Sequence, residues 1–155
     1  MQIRLATRAD VPALAKLFHE TVMKYGPTYY SEAQTCAWAA AALDLEQFEL
    51  FILGGRTWVA EMTTDLVGFS GLAEDGRVAS LYVHHAYLKQ GIGSALLAHV
   101  MEQAHRDRLP RLYTEASEFG RGLFQKFGFQ QYDTEAVQRL GVSFTRYLME
   151  RCDID

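Results

Sequence analysis

Hydrophobic and polar positions change their period several times along this chain, and each change marks an element. Ile3 and Leu5 alternate with polar neighbours and read as a short strand. Thr7 and Asp10 form a capping box in front of Val11, Leu14, Leu17, Phe18 and Val22, whose helical spacing predicts an amphipathic helix. It is expected to end near Gly26 and Pro27, because proline disfavours helical geometry in the residue before it. A loop carrying Tyr29 and Tyr30 follows. Ser31 with Gln34 makes a second capping box, for a small-faced helix of Ala33, Ala37, Trp38, Ala40 and Ala41. Asp44 and Gln47 start a third helix, with Phe48, Phe51 and Ile52, stopped by Gly54 and Gly55.

The period then drops to two. Thr57 to Met62, Leu66 to Leu72 and Val78 to Val83 are rich in strand formers, with Thr64 and Asp65, then Asp75 and Gly76, as turn residues, which predicts an antiparallel meander. Ile92, Leu96, Leu97, Val100, Met101 and Ala104 return to helical spacing, in a helix that ends near Arg108. Pro110 breaks the pattern, and Leu112, Tyr113 and Thr114 predict a fifth strand, parallel to the fourth through a right-handed crossover. Ser117 is read as the cap of a further helix, with Phe119, Leu123, Phe124 and Phe127 inward and Gly128 as its left-handed stop. Two last strands, Phe129 to Val137 and Val142 to Met149, form a hairpin through Leu140 and Gly141.

Composition narrows the class. With 155 residues, 49% hydrophobic and 22% charged, residues 1–155 are expected to form one globular domain with a substantial core. A net charge of −4 argues against nucleic acid as a partner and mildly favours an amine substrate. The start, MQIRLATRAD, has no apolar signal core, and no apolar run approaches the ~20 residues that span a bilayer, so a cytoplasmic protein with no membrane partner is expected. Cys36 and Cys152 read as reduced thiols rather than a disulfide framework. His84 and His85 are adjacent and would point to opposite faces of a strand, so no metal is expected.

The stretch from Leu81 to Leu97 carries the chemistry. Strand, glycine turn and helix succeed one another directly, and the first turn of a helix offers unpaired N–H groups and the positive end of its dipole to an anion. Gly91 and Gly93 allow a tight turn and close approach of a diphosphate, Ser94 offers a hydroxyl and Lys89 a charge. A glycine-assisted helix start is the plainer reading of the same residues.

The run Leu88, Lys89, Gln90, Gly91, Ile92, Gly93 resembles the acyl-CoA-binding motif of the GNAT superfamily of N-acyltransferases, with Leu88 in place of the usual Arg or Gln, and His85 where many relatives carry proline. The runs YYSEAQTCAWA (residues 29–39), TEAS (114–117), GLFQKFGF (122–129) and RLGVSFTRYLME at the end resemble the YafP-like branch of bacterial acetyltransferases. The resemblance implies an α/β (α+β) fold: a central mixed, mostly antiparallel sheet of about seven strands, flanked by helices and splayed between its fourth and fifth strands to admit pantetheine. It implies acetyl-CoA as co-substrate, held by Leu81, Tyr82 and Val83, by Leu88, Lys89, Gln90, Gly91, Ile92, Gly93 and Ser94, and by Ser117 and Phe124. It also puts the region between the first two strands over the acceptor site, which makes Tyr29, Tyr30 and Trp38 candidates for substrate binding, against the alternative of core or rim packing.

Acyl transfer from a thioester to an amine needs a proton acceptor, a donor for the developing oxyanion, and help for the departing thiolate. By resemblance, main-chain groups at Tyr82 and Val83 polarise the thioester. Glu115, with Tyr113 on the same face, is the candidate base, with a structural carboxylate as the alternative; Tyr82 and His84 come next. Many relatives place a tyrosine acid where this chain has Phe124. The expected activity is N-acetyl transfer by direct attack in a ternary complex to a primary amine, borne by a small molecule or a peptide. A catalytically silent acyl-CoA-binding sensor or partner-binding module is the alternative. The C-terminal hairpin leaves an edge suited to pairing in a homodimer.

Overall fold

The computed structural model describes residues 1–152. Strands β1 (Gln2–Leu5), β2 (Arg56–Met62), β3 (Asp65–Leu72) and β4 (Val78–Val83) form an antiparallel sheet in the order β1-β2-β3-β4. Strands β5 (Leu112–Ala116), β6 (Gln130–Arg139) and β7 (Val142–Arg151) form a second antiparallel sheet in the order β5-β7-β6. Five α-helices, α1 (Val11–Tyr29), α2 (Glu32–Ala39), α3 (Leu45–Leu53), α4 (Ile92–Arg106) and α5 (Arg121–Lys126), cover them among the described residues. None of these helices is long and apolar enough to cross a membrane.

The alternation of β2 and β3 is blurred because both faces of their sheet are covered. Val59 and Phe69 pack with Leu14, Phe18, Phe48 and Ile52 of α1 and α3, whereas Ala60 and Val67 pack with Ile92 and Leu96 of α4. Gly68 lets α4 lie close, since a Cβ there would stand 2.9 Å from Leu96 Cδ1 and from the Tyr82 carbonyl oxygen.

Four predicted details change. Helix α1 runs through Pro27 to Tyr29, and the Tyr30 N–H closes on the Gly26 carbonyl at 2.8 Å, so the two tyrosines stand at a helix end rather than in a loop. The residue before the proline is a glycine, which lacks the Cβ that makes helical geometry unfavourable there, and α2 uses the same bare backbone to bring Thr35 close. Helix α4 stops at Arg106, because Arg108 takes a left-handed φ of 57° and bonds back to the His105 carbonyl. Helix α5 begins only at Arg121; Ser117 instead closes the preceding turn, its hydroxyl accepting from the Gly120 N–H at 3.1 Å. Finally, β5 runs parallel to β4 as expected but meets it only through an isolated bridge from Arg77, the residue before β4, to Tyr113, while its continuous ladder is antiparallel, to β7.

Candidate active site

The two sheets part directly beyond that bridge. Tyr113 N–H donates to the Gly76 carbonyl at 3.1 Å and the Thr114 hydroxyl donates to the Val78 carbonyl at 2.9 Å. Past Val78 the outer edge of β4 has no strand partner among the described residues. A cavity of about 380 Å³ fills the parting, lined by β4 from Val78 to Tyr82, by β5 and its following loop from Thr114 to Ser117, and by the β6–β7 hairpin.

Aromatic rings form one wall. Tyr82 sits 4.7 Å from Phe18 and 5.3 Å from Phe69, centroid to centroid, and accepts a hydrogen bond from Trp38 Nε1 at 3.3 Å. Burial pushes its hydroxyl up to about 12, so it keeps its proton at neutral pH. Tyr30 meets Trp38 edge-on at 5.4 Å and Phe144 at 5.8 Å, and its hydroxyl accepts from the Glu118 N–H at 3.1 Å. Burial raises this hydroxyl too.

Charged groups face the rings. Arg77 Nε donates to both carboxylate oxygens of Glu115 at 3.0 Å, an ion pair that spans the gap between the sheets. Arg139 and Arg146 line the cavity from the hairpin, and Arg146 is paired with Glu135.

Beyond the end of β4, a short turn over His85–Tyr87 leads to Leu88 and then to α4. Lys89, Gln90 and Gly91 are exposed, and Ala95 N–H closes on the Gly91 carbonyl at 2.9 Å, which leaves the N–H groups of Ile92, Gly93 and Ser94 without helical partners. The two glycines serve different ends. Gly91 has a φ of 84° and open space around it, whereas a Cβ on Gly93 would come 3.0 Å from Leu123 Cδ2, so Gly93 eases the approach of α4 to Leu123 of α5.

Of the residues singled out from sequence, Leu81, Tyr82, Glu115, Ser117, Phe124, Tyr30 and Trp38 come together in the cavity. Val83 packs with Ile92 and Leu96 instead, and residues 88–94 form the turn into α4 alongside, exposed at Lys89, Gln90 and Gly91. Tyr113 shares the face of Glu115 but lies outside the cavity, one strand repeat toward the bridge, where its hydroxyl donates to Asp75. Tyr29 points away as well, edge-on to Phe119 at 5.7 Å.

His84 lies outside the cavity, with Nε2 3.2 Å from Glu20 and Nδ1 accepting from the Ala86 N–H. His84 and His85 do not diverge, because β4 ends at Val83 and the turn brings their rings into a stack at 4.2 Å, with Glu20 near both. One possible ligand atom from each of Glu20, His84 and His85 lies within 4.8 Å of the others, a grouping that could hold a metal ion. Burial, then His84, hold the His85 imidazole below the usual histidine range. Arg139, Phe144 and Arg146 escaped the sequence reading, although period-two spacing puts Val137 with Arg139, and Phe144 with Arg146, on shared faces.

With backbone donors on one side of the parting and side-chain chemistry on the other, the arrangement suits a protein that brings two substrates together. Residues 27–151 match a family described as the acetyltransferase (GNAT) domain, and the chain belongs to that family of acetyltransferases. It is similar to an uncharacterised N-acetyltransferase, YafP, of Escherichia coli strain K12, with 28% identity over 149 residues that cover 96% of this chain and 94% of that one. Among solved structures it resembles a GCN5-related N-acetyltransferase from Rhodopseudomonas palustris, at a TM-score of 0.94 and 26% identity, covering 97% of this chain and 94% of that one. The fold is shared with the PaiA N-acetyltransferase of Thermoplasma acidophilum in complex with coenzyme A, at a TM-score of 0.77 and 19% identity over 98% and 99% of the two chains.

Proposed function

We propose that the protein transfers the acetyl group of acetyl-CoA to a primary amine by direct attack, with both substrates in the parting between β4 and β5. The observation that carries this reading is the unpaired edge of β4, followed after one short turn by the exposed residues 89–91 and the unpartnered first amides of α4. Those amides, the α4 N-terminus and the Lys89 ammonium suit the coenzyme's diphosphate. The main chain of Leu81 to Val83 lies alongside the pantetheine arm and polarises the thioester carbonyl, while Leu88, Ser117 and Phe124 flank the coenzyme.

A lysine-like amine, with an ordinary pKa near ~10.4, arrives mostly protonated at neutral pH. Glu115 takes that proton, oriented by Arg77. The neutral amine attacks the thioester carbon, the tetrahedral oxyanion collapses, and the carbon–sulfur bond breaks. Phe124 has no hydroxyl to give the thiolate, so the Tyr82 hydroxyl, which keeps its proton at neutral pH, relays one: the second proton shed by the attacking nitrogen replaces the one that Tyr82 hands to the thiolate. Tyr30 and Trp38 shape the acceptor side.

The test is thiol release from acetyl-CoA across an amine panel. Glu115→Gln should lower kcat about 100-fold while coenzyme affinity by calorimetry holds. No uptake of any coenzyme A species overturns the reading. Coenzyme binding without turnover, and no change on Glu115→Gln, favours the silent acyl-CoA sensor, the reading to which Phe124 lends support.

A further inference from the structure

We infer that the acceptor is a small, partly apolar amine that carries a carboxylate, an inference that rests on the N-acetyltransferase reading above. Four charged side chains line the cavity: Arg77, Arg139 and Arg146 against the single carboxylate of Glu115. Arg77 is neutralised in place by Glu115, and Arg146 by its cross-strand partner Glu135. What remains is cationic. The side chain of Arg139, the exposed last residue of β6, makes no hydrogen bond or ion pair among the described residues, and Nε of Arg146 is buried without a hydrogen-bond partner. A buried N–H left unmade destabilises the site until an acceptor reaches it, and the planar fork of a guanidinium matches a carboxylate.

The hairpin register puts Val137 opposite Phe144, Glu135 opposite Arg146 and Arg139 opposite Val142, so both guanidiniums rise from the face that carries Phe144. Phe144 in turn meets Tyr30, Tyr30 meets Trp38, and Trp38 bonds Tyr82 on β4. A molecule reaching from β4 to the hairpin therefore crosses a continuous patch of rings before it meets the arginines. Rings suit an apolar body and, through their faces, an ammonium. At about 380 Å³ the cavity suits a molecule of amino-acid size. The chain's net charge of −4 favours a simple cation, but exposed charges are screened beyond ~8 Å, so the lining decides.

The probes are amine pairs that differ only in the carboxylate: phenylalanine with phenethylamine, leucine with isoamylamine, and para-aminomethylbenzoate with benzylamine. Each is assayed by thiol release from acetyl-CoA, and by quenching of tryptophan fluorescence with coenzyme A present, since Trp38 lines the cavity. The expected result is a preference of about tenfold or more in kcat/KM, or in quenching affinity, for the carboxylated member of at least one pair. Arg139→Gln should shrink that ratio toward one, Arg139→Lys should keep part of it, and coenzyme affinity should not move. Equal or better use of the decarboxylated amines in every pair, with no preferential quenching, overturns the inference, and so does a preference that survives Arg139→Gln combined with Arg146→Gln. Loss of coenzyme binding in the unaltered protein breaks the N-acetyltransferase reading itself, whereas turnover of decarboxylated amines alone breaks only this inference.

Discussion

The two sheets of this molecule are packed differently. In the four-stranded sheet Val59, Ala60, Val67 and Phe69 are fully buried between α1 and α3 on one face and α4 on the other. In the three-stranded sheet most of β6 is exposed, and Met149 is the one wholly buried side chain of the hairpin. The amide turn grows from the packed sheet, and the arginines and Phe144 stand on the lightly packed one. Main-chain recognition depends on where the backbone is held, and so it belongs on a rigid scaffold. Side-chain recognition is altered by single substitutions, and a half-exposed hairpin tolerates them at small cost to stability.

The sharpest test of that contrast is a pair of truncations. Phe69→Ala should lower the unfolding free energy by about 3–5 kcal/mol, whereas Phe144→Ala should remove less than about 1.5 kcal/mol, measured by chemical denaturation. Equal losses would abolish the distinction.

Next in size is the ion-pair cluster that fastens β1 to the helical layer. Arg4 bonds Asp10 at 2.8 and 3.0 Å and Glu61 at 2.9 Å, and the Arg4 hydrogen bond holds the Asp10 carboxyl down at about 2 against its ordinary 3.8. A folded-state value below the unfolded one contributes stability that is complete above pH ~4 and lost as pH falls toward 2. Asp10→Asn should therefore remove about 2 kcal/mol at neutral pH, and flatten the acid limb of the urea midpoint plotted against pH.

Gly91→Val forces a branched side chain into the left-handed region at φ 84°. Coenzyme affinity should fall about tenfold by calorimetry, with the global unfolding midpoint little changed. The smallest effect belongs to the hairpin tip, where Leu140 and Gly141 both have positive φ, at 51° and 77°. Leu140→Asn should raise Tm by about 1–2 °C, because asparagine accepts that geometry more readily than leucine.

What was legible in the sequence is what local chemistry decides. The Ser31–Gln34 box is visible as a spacing of three residues and forms both of its reciprocal hydrogen bonds, at 2.9 and 3.0 Å. The strands of the meander and the glycine turn before α4 stand where their periods put them. The length of α1 was not legible, because the rule for proline assumes a Cβ on the residue before it, and Gly26 has none. The histidine stack was hidden by one residue: strand logic ends at Val83, and a turn rather than a pleat orients His84 and His85. For the cavity, alternation groups Val137 with Arg139 and Phe144 with Arg146, but which face of the hairpin turns toward β4 depends on how two sheets lean against each other. No single stretch encodes that.

The hydrogen bonds from β4 and the turn before it to β5 all crowd at one extremity, between Asp75 to Val78 and Tyr113 to Glu115. Mechanically this is a clothes-peg with its spring at the heel, and the jaws are the free ends of two strands. A slight change at the heel, such as removal of the Thr114 hydroxyl, would be magnified along both arms, so the width of the jaws depends on bonds made at the closed end of the parting.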